Sequence, residues 1–353
     1  MRKLSRYVAK SVSGAIAVVM LVIVGLDVIA ALVDELTQMS DDYGFLQILF
    51  YVGLTLPSRI YEFIPFSALI GCLIGLGLLA ASSELVVMRA AGVSVRRITW
   101  LVLKPVLAFI GLGIVLGEFV TPITDQVAES SRSVALGKHR VLEANRGLWN
   151  REGNEFMHFN AVQPNGKLFG VTRYQYDDQQ RLLVASSAVS AIYQGDHWIE
   201  ENVVETLFKE DKTETATWPN RRWDNDLTPQ VLNVLVLPPE SLSISNLYQY
   251  ATYREQQGLD SESHWLVFWK KIMQPLATAS LVLVAISFIF GPLRQVTMGF
   301  RIFSGVMVGV IFRTTQDMLG PASLVYGFEP LIAVLAPIVI CAMIGLYLLQ
   351  KSR

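Results

Sequence analysis

The chain has 353 residues, of which 52% are hydrophobic and only 17% are charged. An average soluble domain has about 25% charged residues. The formal net charge is −1, so there is no electrostatic case for nucleic acid binding. Both cysteines, Cys72 and Cys341, lie inside apolar runs, which rules out a disulfide framework. Because the apolar residues are concentrated at the two ends, the sequence indicates an integral membrane protein with one soluble insert.

Six apolar segments are long enough for membrane helices, since a helix needs about 20 mostly apolar residues to cross the hydrocarbon core. The second of them is long enough either for one helix broken near Pro57 and Pro65 or for a re-entrant half followed by a span. The first is too long for a signal peptide and lacks a small-residue cleavage site, so we expect a retained anchor. The segments are 12–33, 43–83, 98–120, 272–293, 302–320 and 330–350.

Lysine and arginine predict the orientation of these helices. They occur in the N-terminal tail, between the second and third segments, between the fourth and fifth, and after the sixth. The loops on the other side, 34–44 and 321–329, contain none. The sequence therefore predicts that both termini are cytoplasmic and that the insert lies outside the cytoplasm.

Charged residues inside the predicted spans occur at helical spacing. Arg313 and Asp317 are four residues apart, and Arg59 and Glu62 are three apart. Because a charge inside a membrane span is costly unless it is satisfied, each pair is expected to form within its own helix.

The sequence of the insert predicts an all-β domain followed by a helix at about 243–262. Strands with turn signals at this spacing are typical of an antiparallel sandwich or jelly roll. Asp177-Asp178 is interpreted as a turn. The histidines lack metal-ligand spacing, and no nucleophile motif is present, so neither a metal site nor an enzyme is predicted here. The predicted strands are Glu155–Val162, Leu168–Tyr176, Leu182–Tyr193 and His197–Phe208.

The loop between the second and third segments contains the most informative stretch, Ser83-Glu-Leu-Val-Val-Met-Arg-Ala-Ala-Gly92. Ser83 is placed as the N-cap, Glu84 suits the positive end of the helix dipole, and Gly92 is placed to end the helix. The stretch predicts a short, mostly apolar helix at about 83–94, which alone is marginal in water. It either rests on the membrane surface or docks into a groove on a cytoplasmic protein.

This stretch closely resembles the coupling-helix signature of the LptF/LptG lipopolysaccharide export permeases. Ser287-Phe-Ile-Phe-Gly-Pro-Leu-Arg294 and Leu242-Ser-Ile-Ser-Asn-Leu247 are similar to the same family. The resemblance covers nearly the whole chain and implies an α-helical membrane protein with six transmembrane helices and an inserted periplasmic all-β, jelly-roll-like domain. Its parts would be three helices with the coupling helix at 1–128, the β domain with a helical return segment at 129–262, and three helices at 263–353.

The resemblance also implies the function. The family is the membrane half of an ABC exporter in the Gram-negative inner membrane, which extracts lipopolysaccharide and passes it to a periplasmic β-jelly-roll bridge. The implied partners are the paired permease LptF, a dimer of the ATPase LptB, LptC, and LptA through the bridge, in addition to membrane lipids. The sequence has no Gly-x-x-x-x-Gly-Lys-Ser/Thr loop. We therefore expect no enzyme and no bound cofactor in this chain, with ATP and Mg²⁺ held by the partner ATPase.

Three sets of residues would carry this function, and no metal ligands are among them. The family's cavity is formed mainly by the first and fifth spans, and its β domain receives acyl chains. Residues 26–44 contain no lysine or arginine, so basic contacts to an anionic lipid are not expected from this segment. Either LptF supplies them, or divalent cations bridge acidic groups to phosphates, or Arg59 and Arg313 serve. The ATPase-docking residues are Glu84, Leu85, Val87, Met88, Arg89 and Gly92. The cavity residues are Val22, Leu26, Ile29, Val33, Phe303, Met307, Val310, Ile311 and Arg313. The β-domain interior residues are Phe156, Phe159, Phe169, Val171, Tyr174, Ile192 and Trp198.

Two other classes of function compete with this one. A non-transporting membrane scaffold or sensor would use the β domain to bind a partner and the cytoplasmic helix to relay its state. An intramembrane enzyme is disfavoured, because the spans contain no His-Glu-x-x-His motif and no serine–lysine constellation. The transporter and the scaffold hypotheses differ in the partner proteins they require, since only a transporter half must recruit an ATPase.

Overall fold

A computed structural model describes residues 2–40, 43–137, 148–162, 167–209, 211–225, 238–256, 261–291 and 296–351. The helices before the sheet are α1 (Arg2–Leu36), α2 (Phe45–Leu54), α3 (Leu56–Ala81), α4 (Glu84–Ala90), α5 (Val95–Val115), a π-helical turn (Leu116–Val120) and α6 (Thr121–Gly137). The strands are β1 (Leu148–Glu152), β2 (Glu155–Val162), β3 (Lys167–Tyr176), β4 (Leu182–Tyr193), β5 (Trp198–Phe208) and β6 (Thr213–Trp223). A 3₁₀ turn (Pro239–Ser241) precedes α7 (Ile244–Gln256), α8 (Glu262–Phe290), α9 (Met298–Tyr326) and α10 (Pro330–Lys351).

The chain divides into two compact units. The first consists of the described residues up to Ala30, of Leu56–Thr121, and of the described residues from Ser243 onward. The second consists of Ala31–Thr55 and the described part of Pro122–Leu242, which contains the sheet. The fold class expected from the sequence is confirmed, since apolar helices flank an all-β insert.

Among the described residues, five helices are long and apolar enough to cross a membrane. They are Lys3–Leu36, Leu56–Ala81, Val95–Arg132, Glu262–Phe290 and Pro330–Lys351. The sixth predicted span lies in α9, which is 29 residues long. It is less apolar than the other five because it contains Arg301, Arg313 and Asp317.

The second predicted segment, 43–83, is divided into a short and a long helix. α2 is apolar but has only 10 residues. The break falls at Thr55, just before Pro57, whereas Pro65 lies inside α3. The expectation of a break near Pro57 is therefore confirmed, and the expectation of one near Pro65 is wrong.

The first unit is built around α3, which contacts α5, α8 and α9. Its glycines allow α1 to approach closely. A Cβ on Gly71 would lie 2.5 Å from the Cα of Ile16, and a Cβ on Gly75 would lie 3.0 Å from the Cα of Val12. Small residues four apart on a membrane helix commonly permit such backbone contact. The buried side chains of α1, such as Val8, Val12 and Ile16, belong to the same hydrophobic core as those of α3.

Glu118, in the π-helical turn, fixes the start of α7. Its Oε2 accepts a hydrogen bond from the Ile244 N–H at 2.8 Å. Its Oε1 accepts bonds from the N–H and the hydroxyl of Ser245, at 3.3 and 2.6 Å. The carboxylate thus satisfies backbone donors that a helix start leaves unpaired and lies at the positive end of the helix dipole. The chain enters α7 tied to the third membrane helix.

The six strands form one antiparallel sheet in the order β1-β2-β3-β4-β5-β6. Four strands agree with the predicted ones to within a residue at either end. The order is that of a meander, so the two-sheet sandwich arrangement is not seen among the described residues. The sequence reading missed β1, a short edge strand, and β6. Exposed polar residues and Pro219 give the latter the composition of a loop.

A line of irregular backbone crosses the middle of the sheet. Gly170 on β3 and Asn202 on β5 have positive φ angles of 61° and 53°. In the register they lie on either side of Val189 of β4. At this line the alternation of inward and outward side chains shifts by one residue. Leu168 and Val171 are therefore both buried although they are three residues apart.

This shift decides which of the predicted interior residues lie in the core of the sheet unit. The structure buries Phe159, Val171 and Trp198 there, together with residues the sequence reading did not select, such as Met157 and Trp223. Four others are half-buried outside this core. Phe169 and Ile192 lie on the part of the sheet where the alternation has shifted by one residue. There the preceding residues, Leu168 and Ala191, are buried in the core instead. Phe156 and Tyr174 face each other on the opposite side of the sheet.

Largely buried ion pairs beside this core join β2, β3, β5 and β6. Arg173 Nε contacts Glu155 Oε1 at 2.5 Å, and its Nη1 contacts Glu200 Oε2 at 3.1 Å. Arg221 contacts the same Glu200 oxygen at 2.8 Å and also pairs with Glu205. Because removing one partner leaves an uncompensated buried charge, the network holds these strands in a fixed register.

We predict that Gly71→Ala destabilises the first unit. The added Cβ overlaps the backbone of Ile16, and overpacking of this kind typically costs about 1–3 kcal/mol. The thermal unfolding midpoint in detergent is expected to fall. Gly111→Ala on α5 is the control, because a Cβ there meets nothing within 4 Å. An equal midpoint for the two variants would contradict the close α1–α3 contact.

We also predict that acidification destabilises the sheet unit through His158. Burial lowers the pKa of this imidazole, whose Nε2 has no hydrogen-bond partner among the described residues. Below the ordinary histidine pKa of about 6.5, the unfolded chain binds a proton that the folded sheet does not. The stabilisation is therefore complete above that pH and declines as the pH falls. His158→Gln should reduce the fall in unfolding midpoint between pH 7.5 and pH 5.5.

His264→Gln, which lies outside the sheet unit, is the control for this effect. It is expected to retain the pH dependence of the native chain. A native midpoint that does not change over this pH interval would show that burial of His158 has no such effect.

Candidate functional site

α4 is a short helix closed at its end by a glycine. Gly92 has a φ of 83°, which favours glycine. Its N–H donates to the carbonyl of Arg89 at 3.0 Å, and the Val93 N–H donates to the carbonyl of Met88 at 3.1 Å. These two bonds make a Schellman motif, so the predicted role of Gly92 is confirmed. Ser83 stands at the start of the helix, but its φ is 61° and its side chain makes no capping bond.

The two faces of α4 differ sharply in exposure. Leu85 and Met88 are only 4% and 7% exposed and belong to the hydrophobic core of the first unit. Val86 and Val87 are 53% and 66% exposed, and Arg89 is exposed beside them. Of the predicted docking residues, Leu85 and Met88 therefore face inward, because residues three apart share a helix face. The outward face adds Val86, which the sequence reading missed since periodicity does not say which face turns inward.

Glu84 is half-buried and already accepts hydrogen bonds within this chain. Its Oε1 accepts a bond from the Tyr7 hydroxyl at 3.0 Å and another from the Ser82 hydroxyl at 3.0 Å. These donors hold the carboxylate at the first turn of α4, where the helix dipole favours a negative charge. Tyr7 could not be identified from the sequence, because it is 77 positions away from Glu84.

The predicted cavity residues form two exposed stripes on this chain. Val22, Leu26, Ile29 and Val33 all lie on the exposed face of α1. The opposite face of its first half carries Val8, Val12 and Ile16, which are buried. On α9 the same exposure is found for Phe303, Met307, Val310 and Ile311. The structure thus leaves both stripes uncovered by the described residues of this chain.

Most of the charged side chains in the membrane helices pair across helices. Arg59 of α3 pairs with Asp27 of α1, and Arg313 of α9 pairs with Glu62 of α3. The expected pairing of Arg59 with Glu62 is therefore wrong, because each faces a different neighbouring helix. The expected pairing of Arg313 with Asp317 is present as a second contact at 3.5 Å.

The pair of Arg313 and Glu62 belongs to a larger polar group. Asp317 also lies 4.0 Å from Lys270 of α8. These four side chains are between one third and three fifths exposed in this chain. A charged residue at the centre of a membrane helix costs about 2.5–3.5 kcal/mol on insertion scales, so such residues face protein or a water-filled cavity. Lys271, next to Lys270, is buried over the ring of Tyr61 instead.

Comparison with known proteins identifies the family of this chain. The family described as "Lipopolysaccharide export system permease LptF/LptG" matches residues 6–351. The chain is 35% identical to the lipopolysaccharide export system permease protein LptG of Haemophilus influenzae (strain ATCC 51907 / DSM 11121 / KW20 / Rd), and the match covers 99% of both chains. It is also 35% identical to LptG of Escherichia coli (strain K12), over 99% of this chain and 98% of that protein.

These matches extend over both units and over all the candidate site residues. They agree with the resemblance carried by the coupling-helix stretch, and both relatives are named as permease proteins. The chain belongs to the LptF/LptG family of lipopolysaccharide export system permeases.

Proposed function

We propose that this chain is one of two permease subunits of an ATP-driven exporter, paired with LptF and docked on a dimer of the ATPase LptB. The observation that carries the proposal is the geometry of α4. Its inner side is anchored in the core by Leu85 and Met88, while Val86 and Val87 are held outward. Exposed valines fixed on a rigid helix are suited to a hydrophobic groove on a partner, as in other helix-in-groove complexes.

The charged groups beside these valines complete the proposed docking surface, which consists of Glu84, Val86, Val87, Arg89 and Gly92. Glu84 and Arg89 are positioned on either side of the valine pair, and they offer opposite charges to the ATPase. Such charges contribute to orientation and association rate more than to affinity. ATP and Mg²⁺ are bound by the ATPase and not by this chain.

The cavity for lipopolysaccharide is proposed to lie against the exposed faces of α1 and α9. Two features support this position. The apolar stripes are suited to acyl chains, and Arg313 with its acidic partners supplies a polar region that is costly to leave in lipid. The paired subunit LptF would close the opposite side, so that water and substrate, rather than bilayer, contact these charges.

The insert is proposed to lie in the periplasm and both termini in the cytoplasm of a Gram-negative bacterium, with the chain in the inner membrane. The distribution of lysine and arginine over the loops supports this orientation. In this position the sheet unit would stand on the side where lipopolysaccharide leaves the membrane for LptC and then LptA.

We propose that Glu84 contacts a basic residue of LptB. We therefore expect Glu84→Arg to reduce copurification of LptB with this chain and LptF by at least roughly tenfold, because like charges brought together at an interface cost several kcal/mol. The vanadate-sensitive ATPase activity of the purified complex should fall in parallel. Glu329→Arg, in the turn between α9 and α10, is the matched charge reversal outside α4. Recruitment that survives Glu84→Arg would place the contact elsewhere, and a native chain that recruits no ATPase would favour a scaffold.

A photo-crosslinking side chain at Leu26 of α1 or at Val310 of α9 is expected to capture lipopolysaccharide in the assembled complex. Both positions are exposed apolar sites on the proposed cavity wall. Leu346 of α10 is an equally apolar, exposed control outside that wall. Equal capture at all three positions would mean that the stripes are ordinary lipid-facing surface.

A further inference from the structure

α1 and the docking helix α4 are not neighbours along the chain, so a movement of α4 reaches α1 either through α3, which packs against α1, or through direct contacts between α1 and α4. The chain joins α4 directly to α3 on one side and to α5 on the other. α1 is separated from α4 by α2 and α3. A direct contact between α1 and α4 therefore makes the first membrane helix follow the docking helix more closely than packing through α3 alone.

The hydrogen bond from Tyr7 to Glu84 is such a contact. Tyr7 lies in the second turn of α1, and its hydroxyl reaches the first residue of α4 at 3.0 Å. The acceptor is a carboxylate oxygen, and bonds to ionised acceptors are roughly twice as strong as those between neutral groups. The Ser82 hydroxyl donates to the same oxygen, so the carboxylate is held from both the preceding turn and α1.

The packing and the continuity of α1 connect this hydrogen bond to the exposed stripe farther along the helix. Gly71 and Gly75 bring the α3 backbone against Ile16 and Val12, and the Ser11 hydroxyl donates to the Gly75 carbonyl at 3.4 Å. α1 is one continuous helix from Arg2 to Leu36. A displacement applied at Tyr7 is therefore transmitted along the same helix to the exposed stripe that contains Leu26 and Ile29.

We propose that Tyr7 is a positioning residue that couples the docking helix to the first membrane helix. The inference rests on the proposed function, because it takes α4 as the docking helix and α1 as a wall of the cavity. When the ATPase displaces α4, the Glu84 carboxylate moves the Tyr7 hydroxyl with it. The stripe on α1 then changes position in step with ATP hydrolysis.

The test is Tyr7→Phe in the complete complex with LptF and LptB, reconstituted in proteoliposomes that contain lipopolysaccharide. Phenylalanine keeps the ring and removes only the hydroxyl. We expect the lipopolysaccharide released per ATP hydrolysed to fall roughly fivefold, which is the size of effect expected for the loss of one hydrogen bond. The amount of LptB in the purified complex is expected to equal that of the native complex, because Tyr7 lies outside the docking surface.

Glu84→Gln separates this role from the docking contact. Its amide oxygen still accepts a bond from Tyr7 while its charge is lost, so we expect weaker recruitment of LptB but a native ratio of release to hydrolysis in the complexes that assemble. Tyr347→Phe, at an exposed tyrosine of α10, is the control for loss of a hydroxyl and is expected to keep the native ratio.

A native ratio for Tyr7→Phe would overturn the inference while the proposed function stands, since the native complex would still contain LptB. A loss of recruitment with an unchanged ratio would overturn it as well. Absence of LptB from the native complex would instead contradict the proposed function itself.

Discussion

The burial of Leu85 and Met88 in the helical core is the interaction on which the candidate site depends. A helix of seven residues is not stable alone in water, since nucleation is costly and few internal hydrogen bonds form. Burying two large apolar side chains contributes about 1.5–3 kcal/mol each. This packing holds α4 as a helix, turns Val86 and Val87 outward, and brings Glu84 within reach of Tyr7. The proposed docking surface and the proposed link to α1 therefore both depend on the packing of this one helical turn.

Charge pairing between helices is the second constraint on the structure. Asp27, Arg59, Glu62 and Arg313 are all in helices of the first unit, and each pairs with a residue of another helix. These contacts join α1 to α3 and α3 to α9. The positive charges that face the proposed cavity are thereby matched by carboxylates of the same chain, so this wall is polar without being strongly cationic.

Local signals in the sequence predicted the parts of the fold that local chemistry determines. Gly92 ends α4 as expected, the break before Pro57 is present, and the strand from Leu182 to Tyr193 has the predicted bounds. The Asp177 carboxylate accepts hydrogen bonds from the N–H groups of Gln179 and Arg181, which is the predicted turn. In each case the residue that carries the signal also makes the contact.

Features that depend on distant residues were not predictable in this way. Periodicity placed Leu85 and Val87 on a helix but did not say which of them meets α3. Phe169 was expected in the interior of the β domain, whereas the positive φ angle of Gly170 places Leu168 in the core. The ion pairs were assigned within helices because spacing is visible in a sequence and helix neighbours are not. The family resemblance indicated the function and the sets of candidate residues. Packing decides which of those candidate residues are exposed.

The most direct measurement is photo-crosslinking from α4 to the ATPase in the complex with LptF. A photo-crosslinking side chain is placed at Val87, which faces outward, and in a separate variant at Val86, which is also exposed, with buried Leu85 as the comparison. We predict strong capture of LptB from Val87 and Val86 and little from Leu85. Capture from none of these positions, or equal capture from Leu85, would contradict the claim that the outward face of α4 docks an ATPase.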